Sequence, residues 1–178
     1  ERKSKVAKKR EHTFFIPRDL KRLQIYQPED TLPMAGEKNW GMATFKVDKL
    51  RKITRGEGEI IGVVDTGISG SHPMLQNFIA AADSTGSRYG SDDRDGHGTH
   101  VSGTTAGSNP EMGVADKAKG VHGKGLGDGG SGTGTQIRNA MDFCAKRGAG
   151  VISMSLGSSG QDPTITGFIK ELAEQGIW

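Results

Sequence analysis

Two stretches of this chain place a carboxylate and an imidazole where they could act in the same reaction. Asp65 ends the apolar run IIGVVD, and His97 stands some thirty residues later in DGHGTHVSGTTAG. A hydroxyl is a poor nucleophile until an imidazole takes its proton, and a hydrogen-bonded carboxylate holds that imidazole in one tautomer. The pair therefore predicts acyl-transfer chemistry, with Asp65 as the orienting acid and His97 as the base.

Each residue alone has an ordinary structural explanation, since an Asp after a strand often caps a helix and a lone His is often a surface group. The long motifs around both residues favour the chemical interpretation. The pair still needs a hydroxyl to activate, and Ser102, Ser153 and Ser158 are all explained as helix or strand residues. We therefore expect the chain to be inactive on its own.

The elements that must position this pair are visible as apolar runs. Residues 60–64 form a short, continuous apolar run, which is typical of a strand buried on both faces in a parallel sheet. Residues 78–82 predict a weaker strand, and residues 151–155 predict another buried strand. Asp65 follows the first strand directly, at the end of the sheet where parallel α/β folds place their active sites.

Two helices are indicated by apolar residues at helical spacing. One stripe covers residues 137–145, and Gly148 is placed to end its helix. The second stripe covers residues 165–173, with Asp162 as the N-cap and Pro163 as the first helical residue. Both helices are therefore predicted to pack one apolar face against the sheet.

The alternation of strands and helices predicts an α/β fold class, with a parallel sheet flanked by helices on both faces. Residues 1–37 have no sustained period and contain three Pro among charges, so they are interpreted as a leader before the folded part at 38–178. The Gly-rich segment KGVHGKGLG (119–127) predicts a weakly packed strand. Ile177 and Trp178 are interpreted as the start of a further strand, so we expect the parent sequence to continue.

Composition narrows the classes of function. The 178 residues carry 24 Lys and Arg against 21 Asp and Glu, but residues 1–13 hold six of these cations, so the small positive charge belongs to the leader. A local basic tail without interleaved aromatic residues argues against nucleic-acid binding. No run of 18 apolar residues occurs, so no membrane partner is expected. Cys144 is the only Cys, which leaves the compartment undetermined, and its place on an apolar stripe makes it a packing residue rather than a nucleophile.

The motifs VVDTGIS and GHGTHVSG, which surround Asp65 and His97, resemble the catalytic motifs of the subtilase family, the subtilisin-like serine endopeptidases. The resemblance runs from about residue 40 to residue 178 and implies a subtilisin-like fold, incomplete at the C-terminal side, in which Asp65 and His97 are catalytic. It also implies that an extended peptide pairs by main-chain bonds with two segments. The residues assigned to substrate binding in this way are Leu126 in a P4 pocket, Gly130, Ser131 and Gly132 in DGGSG, and Ser155, Leu156 and Gly157 in SMSLG beside the P1 pocket.

The resemblance further implies what surrounds this chain in the complete enzyme. Residues 1–37 match a propeptide tail with its maturation junction, and residues 38–178 match the N-terminal portion of the catalytic domain. The implied partners are a polypeptide substrate, the propeptide and the remainder of the catalytic domain, which would supply the oxyanion-hole Asn and the nucleophilic Ser. The implied reaction is peptide-bond hydrolysis through an acyl-enzyme.

No cofactor is required for this chemistry, and no metal ligands are assigned. Calcium is possible in the complete enzyme, but Met74 stands where many subtilases keep a calcium-binding Asp, and the loop after Gly107 is short. A thioether does not satisfy a hard cation that prefers oxygen, so we expect the usual tight calcium site to be lost. Zinc is disfavoured because His97 and His100 lack a third ligand at matching spacing.

Two alternatives compete with the peptidase interpretation. Gly127, Gly129 and Gly132 satisfy GxGxxG, but a dinucleotide site needs a strong strand before this motif and a helix that opens on it. The absence of GKS or GKT after a Gly-rich loop excludes a P-loop. The stronger alternative is a non-catalytic chain of subtilisin type, either a pseudoprotease or a fragment that at most binds peptides.

Three acidic residues, Asp92, Asp93 and Asp95, precede His97. They predict a preference for Lys or Arg at the P2 position of a substrate. Alternatively they are solvated loop residues and an N-cap, and because exposed ion pairs contribute less than about 1 kcal/mol, both interpretations stay open.

Overall fold

The structure, a computed structural model, describes residues 13–15 and 40–178. Its strands are β1 (Thr13–Phe15), β2 (Ile60–Asp65), β3 (Phe78–Asp83), β4 (Lys119–Lys124), β5 (Ser131–Thr133), β6 (Val151–Ser153) and β7 (Gly157–Ser158). Its α-helices are α1 (Trp40–Thr44), α2 (Val47–Leu50), α3 (His97–Ala106), α4 (Gly134–Lys146) and α5 (Pro163–Glu174), with a short 3₁₀ helix at Pro73–Leu75. None of the helices in these ranges is long and apolar enough to cross a membrane.

Four parallel strands form the main sheet, in the order β3-β4-β2-β6. Val121 of β4 belongs to the apolar core that α4 and α5 cover, while the next residue, His122, contacts Ser102 of α3. Successive residues of a strand point to opposite faces, so α3 and α4 lie on opposite sides of the sheet. The predicted α/β fold class is confirmed.

The end of α4 and the start of α5 lie where the sequence predicts them, whereas the cap at the start of α4 was not predicted. Thr133 and Gln136 form a capping box at the start of α4: the Thr133 hydroxyl accepts from the Gln136 backbone amide, and the Gln136 side chain accepts from the Thr133 backbone amide. Gly148, with φ 86°, follows the end of that helix. Asp162 accepts hydrogen bonds from two backbone amides at the start of α5, with Pro163 as its first residue. Cys144 is buried in the core between α4 and the sheet, and this burial raises the pKa of its thiol to about 12.

The Gly-rich strand β4 is central and buried, so the expectation of a weakly packed strand is wrong. A Cβ atom on Gly120 would lie 2.5 Å from the Phe78 ring. One on Gly123 would lie 2.6 Å from the Ala140 carbonyl oxygen of α4. The two glycines therefore allow an aromatic ring and a helix to approach the strand closely.

Strand β6 is shorter and less buried than the sequence predicts. A buried strand was predicted over residues 151–155, whereas β6 has three residues and its Val151 is 49% exposed. The reason is that β6 forms the edge of the sheet. There the Ile152 amide donates to the carbonyl of Trp178, so the last residues begin to pair with β6 as a further strand would.

A second, smaller sheet has the order β5-β1-β7, with both pairings antiparallel. Its middle strand comes from the leader at residues 1–37, in which no strand was predicted. Phe14 of this strand is only 6% exposed and joins the main apolar cluster. Segment 13–15 is therefore packed onto the folded part of the chain, and the rest of the predicted leader up to residue 37 lies outside the described residues.

Candidate active site

The two residues predicted to do chemistry are brought together at the carboxyl end of the main sheet. Asp65 is the last residue of β2, and His97 is the first residue of α3. His97 Nδ1 lies 2.8 Å from Asp65 Oδ1. Asp65 is fully buried, whereas 27% of the His97 side chain is exposed. The acid is therefore shielded from water while the imidazole can still meet another molecule.

The Asp65 carboxylate is held in one orientation. Its Oδ1 also accepts a hydrogen bond from the Thr66 amide at 2.7 Å, while the buried Oδ2 has no partner in the part of the chain that the structure describes. Burial raises the pKa of the Asp65 carboxyl, and the hydrogen bonds from His97 and Thr66 offset part of this rise. A carboxylate held in this way can fix the tautomer of the imidazole and stabilise a positive charge on it.

Asp93 fixes the position of β2 relative to α3. Its carboxylate accepts hydrogen bonds from Thr66 Oγ1 at 2.9 Å, from the Gly96 amide at 2.9 Å, and from the Thr99 amide and hydroxyl at 2.8 and 2.7 Å. Burial alone would raise the pKa of the Asp93 carboxyl, but the bonds from Thr99 and Gly96 outweigh it and lower that pKa. This one carboxylate therefore ties the segment after β2 to the first turn of α3.

The inward position of Asp93 bears on the predicted P2 preference. The Asp93 carboxylate accepts hydrogen bonds from amides and a hydroxyl at the start of α3, so it is engaged within the chain, as the structural interpretation predicts. Asp92 makes an exposed ion pair with Arg94 at 3.3 Å. The P2 preference stays a prediction, and the engaged Asp93 carboxylate does not contribute to it.

The two segments predicted to align a peptide lie on either side of β1. Phe14 stands opposite Gly132 of β5, and Phe15 stands opposite both Ser131 of β5 and Gly157 of β7. These three predicted residues therefore flank an extended segment of the chain itself. We call the space between β5 and β7 the peptide slot.

The remaining residues predicted for substrate binding lie around this slot. Leu126 is fully buried in the same apolar cluster as Phe14. Gly130, with φ 74°, turns the chain into β5. Ser155 and Leu156 lie between β6 and β7, and the described residues of β1 pair with neither. Leu126 thus shares an apolar cluster with Phe14 of the strand in the slot. Ser155 and Leu156 directly precede β7, which forms one side of the slot.

Sequence reasoning missed two residues at this end of the sheet, Lys124 and Asp128. Lys124 is the last residue of β4 and is fully buried, with its Nζ 2.8 Å from Asp128 Oδ1. A charged residue within a buried strand would have been the signal, since Lys is almost never fully buried unless it is paired. The glycines around Lys124 indicate a weakly packed strand, so its burial is not expected from the sequence.

A second Ser–His pair lies in the core and cannot serve as a nucleophile and base. Ser102 Oγ is 3.0 Å from His122 Nδ1, and both residues are fully buried. Burial lowers the pKa of His122 to about 3, so the ring is neutral at neutral pH. A peptide cannot reach a hydroxyl sealed between α3 and β4, so Ser102 is a structural helix residue, as the sequence predicts.

The loop at residues 110–114, which follows the segment considered for calcium in the sequence, is engaged by an arginine. The Arg51 guanidinium donates to the carbonyl oxygens of Pro110, Gly113 and Val114 in the loop, with the last contact at 3.3 Å. These oxygens are the kind of ligand that calcium prefers, and a cationic side chain already engages them. Across residues 13–15 and 40–178, no group of three or more His, Cys, Asp or Glu residues could hold a metal ion.

The fold and the site define a class: an α/β protein with a hydrogen-bonded Asp–His pair at the carboxyl end of its parallel sheet. The model of the subtilase family, peptidase family S8, matches residues 56–176, and the chain therefore belongs to this family of subtilisin-like serine proteases. The chain is similar to thermitase from Thermoactinomyces vulgaris, with 32% identity over 75% of this chain and 49% of thermitase. It is also similar to subtilisin Savinase from Lederbergia lenta (34% identity, 78% of this chain, 52% of the relative) and to the major intracellular serine protease of Bacillus subtilis (31%, 88%, 52%). The chain thus spans about half the length of these relatives.

Proposed function

We propose that this chain is the Asp- and His-bearing part of a serine endopeptidase that hydrolyses peptide bonds through an acyl-enzyme. The observation that supports this best is the 2.8 Å contact between His97 Nδ1 and Asp65 Oδ1 at the end of β2. In this proposal Asp65 keeps the imidazole proton on Nδ1, so that Nε2 can take the proton of an attacking hydroxyl. His97 then gives that proton to the leaving amine as general acid.

The substrate is proposed to lie in the peptide slot as β1 does. Main-chain bonds to Gly130, Ser131 and Gly132 on one side and to Gly157 on the other would hold any extended peptide, whatever its side chains. Pockets that receive every second side chain of the peptide would then supply selectivity. Leu126 is proposed to line the pocket that Phe14 now approaches, and the 155–156 segment to form a wall of the P1 pocket.

The leader at residues 1–37 is proposed to be a propeptide tail that β1 attaches to the slot. Support comes from the two antiparallel pairings of β1 and from the burial of Phe14. A peptide substrate would have to displace this segment before it could pair with β5 and β7. Calcium is proposed to be absent from the loop that Arg51 occupies, and the chemistry requires no cofactor.

The nucleophilic Ser and the oxyanion-hole Asn are proposed to lie in sequence outside this chain. A fluorophosphonate probe, which labels an activated Ser, tests this on the 178-residue chain and on the product of the complete reading frame. We expect labelling of the complete product only, with a rate about 10⁴-fold lower for Asp65→Asn. The matched control is Asp92→Asn, because Arg94 is the ion-pair partner of that half-exposed carboxylate among the described residues.

Two outcomes would contradict the proposal. One is covalent labelling of the 178-residue chain, which would reveal a nucleophile among its own Ser residues. The other is an Asp65→Asn variant of the complete product that turns over peptides as fast as Asp92→Asn does.

The alternative function is a non-catalytic chain that binds extended peptides. The observation in its favour is the occupied slot, because strand pairing with β5 and β7 needs no nucleophile. This alternative predicts that the complete product binds peptides but is not labelled by the probe. The gene sequence after the codon for Trp178 separates the two functions, since the endopeptidase requires a Ser-bearing segment there.

A further inference from the structure

The most unusual charge in the described chain is the Lys124 ammonium, which is fully buried at the end of β4. It donates to the Thr66 carbonyl at 2.5 Å, to the Asp92 carbonyl at 3.0 Å and to Asp128 Oδ1 at 2.8 Å. An ammonium has three N–H donors, so these contacts use all of them. The side chain is therefore fixed in one position.

The three acceptors belong to three different segments of the proposed active site. Thr66 directly follows the buried acid at the end of β2. Asp92 lies in the loop that leads into α3 and its His97. Asp128 begins the segment 128–132, which turns into β5 and forms one wall of the peptide slot. A single cation thus connects the acid, the base and the peptide-aligning segment.

The three contacts of Lys124 differ in charge: one is ionic and two are neutral. A buried ammonium is costly unless an anion pairs with it, and Asp128 is the one carboxylate within ion-pair distance of Lys124 among the residues with described coordinates. The other two contacts are neutral carbonyl groups that belong to the loops around Asp65 and His97. Moving the segment at Asp128 away would leave the cation without its anion, so the segment is held against the two loops.

We propose that Lys124 is a positioning residue that holds the peptide-aligning segment 128–132 in register with the Asp65–His97 pair. This inference rests on the proposed function of the slot. Lys124 itself touches neither the substrate nor the reacting atoms. The bonds to the carbonyl groups of Thr66 and Asp92 connect Lys124 to the loops around the acid–base pair. The ionic contact with Asp128 connects it to the segment 128–132. A substitution at Asp128 therefore breaks the second connection and keeps the first.

Two measurements on the 178-residue chain test the proposal: amide hydrogen exchange at residues 128–133, and the downfield NMR signal of the His97 Nδ1 proton. Asp128→Asn keeps the size of the side chain and an acceptor oxygen but removes the anion. We expect exchange at 128–133 to become about 10-fold faster or more, because hydrogen bonds to charged groups are stronger than neutral ones. The His97 signal should stay unchanged in this variant.

Lys124→Met removes all three contacts, and we expect it to change both the exchange rate and the His97 signal. Ser87→Ala is the matched control, because it removes a neutral donor to the same carboxylate (Ser87 Oγ to Asp128 Oδ2, 2.9 Å) but keeps the ion pair with Lys124. This control should leave both readouts as they are. If Lys124 had only a structural role, Lys124→Met would lower the melting temperature and raise amide exchange throughout the sheet, not mainly at residues 128–133.

Unchanged exchange at 128–133 in Asp128→Asn would overturn the proposal. So would a His97 signal that moves as far in Asp128→Asn as in Lys124→Met. If Lys124→Met does not fold, the Asp128→Asn result decides alone. None of these readouts requires hydrolysis, so an inactive complete product would refute the proposed function and leave this test valid.

Discussion

Acid should destabilise this chain through one buried histidine. His122 is fully buried in β4, and burial lowers its pKa from the ordinary value of 6.5 to about 3. Nearby Asp93 raises this pKa and Lys124 lowers it, so burial decides the direction. The unfolded chain therefore binds a proton in a pH range where the folded chain does not. The contribution of His122 to stability is complete above pH 6.5 and is lost as the pH falls toward about 3.

The size of the effect follows from the two pKa values. At about pH 5 the unfolded imidazole is mostly protonated and the folded imidazole is neutral. The free energy of unfolding should therefore fall by about 2 kcal/mol between about pH 7.5 and about pH 5 because of His122 alone. A loss of this size is a large fraction of the stability of an ordinary domain.

Urea unfolding at the two pH values measures this loss in the wild type and in two variants. His122→Asn keeps a polar group near Ser102 but does not titrate, so its unfolding free energy should fall by about 2 kcal/mol less than that of the wild type. This difference is independent of the absolute stability of the variant. His100→Ala, at an exposed position of α3, should keep the full loss. Identical pH dependence in the wild type and His122→Asn would refute the reasoning.

Three further changes test other contacts. Arg51→Ala should lower the free energy of unfolding by about 2 kcal/mol, because it leaves carbonyl groups of the 110–114 loop without a donor. The wild-type melting temperature should be the same in calcium and in EDTA, and a rise of several degrees in calcium would contradict this. Gly123→Ala should lower the unfolding free energy by about 1 to 3 kcal/mol through its clash with α4, whereas Gly103→Ala, with nothing within 4 Å of its Cβ, should be neutral or stabilising. Equal urea midpoints for the two glycine variants would argue against close packing at β4. Phe14→Ala should speed amide exchange in β1 and β5 while leaving β2 protected, and unchanged exchange would show that Phe14 does not anchor β1.

The sequence predicts best those features whose causes are local. The helices α4 and α5 follow from apolar stripes and from caps such as Asp162, which lie within a few residues of the helices they start. The Asp65–His97 pair was also predictable, because an acid at the end of a buried strand and a base at the start of a helix meet at one edge of a parallel sheet. The class of fold follows from the same alternation.

Features that depend on distant partners could not be predicted in this way. β1 consists of three residues in a charged leader, and it becomes a strand because β5 and β7 accept it from both sides. Gly120 looks unfavourable in a strand until the ring of Phe78 is seen to pack on it. The carbonyl acceptors of Lys124 lie 58 and 32 residues away along the chain, so no local pattern reveals its burial.

The strand order of the main sheet has a consequence for synthesis on the ribosome. β2 is the first strand of this sheet along the chain, yet its partners β4 and β6 follow about 60 and about 90 residues later. At a synthesis rate of about 5 to 20 residues per second, β6 emerges about 5 to about 18 seconds after β2. During that interval the nascent chain exposes an apolar strand with neither neighbour in place, a species prone to aggregation. Chaperone contact in this interval would therefore protect the strand that ends in Asp65.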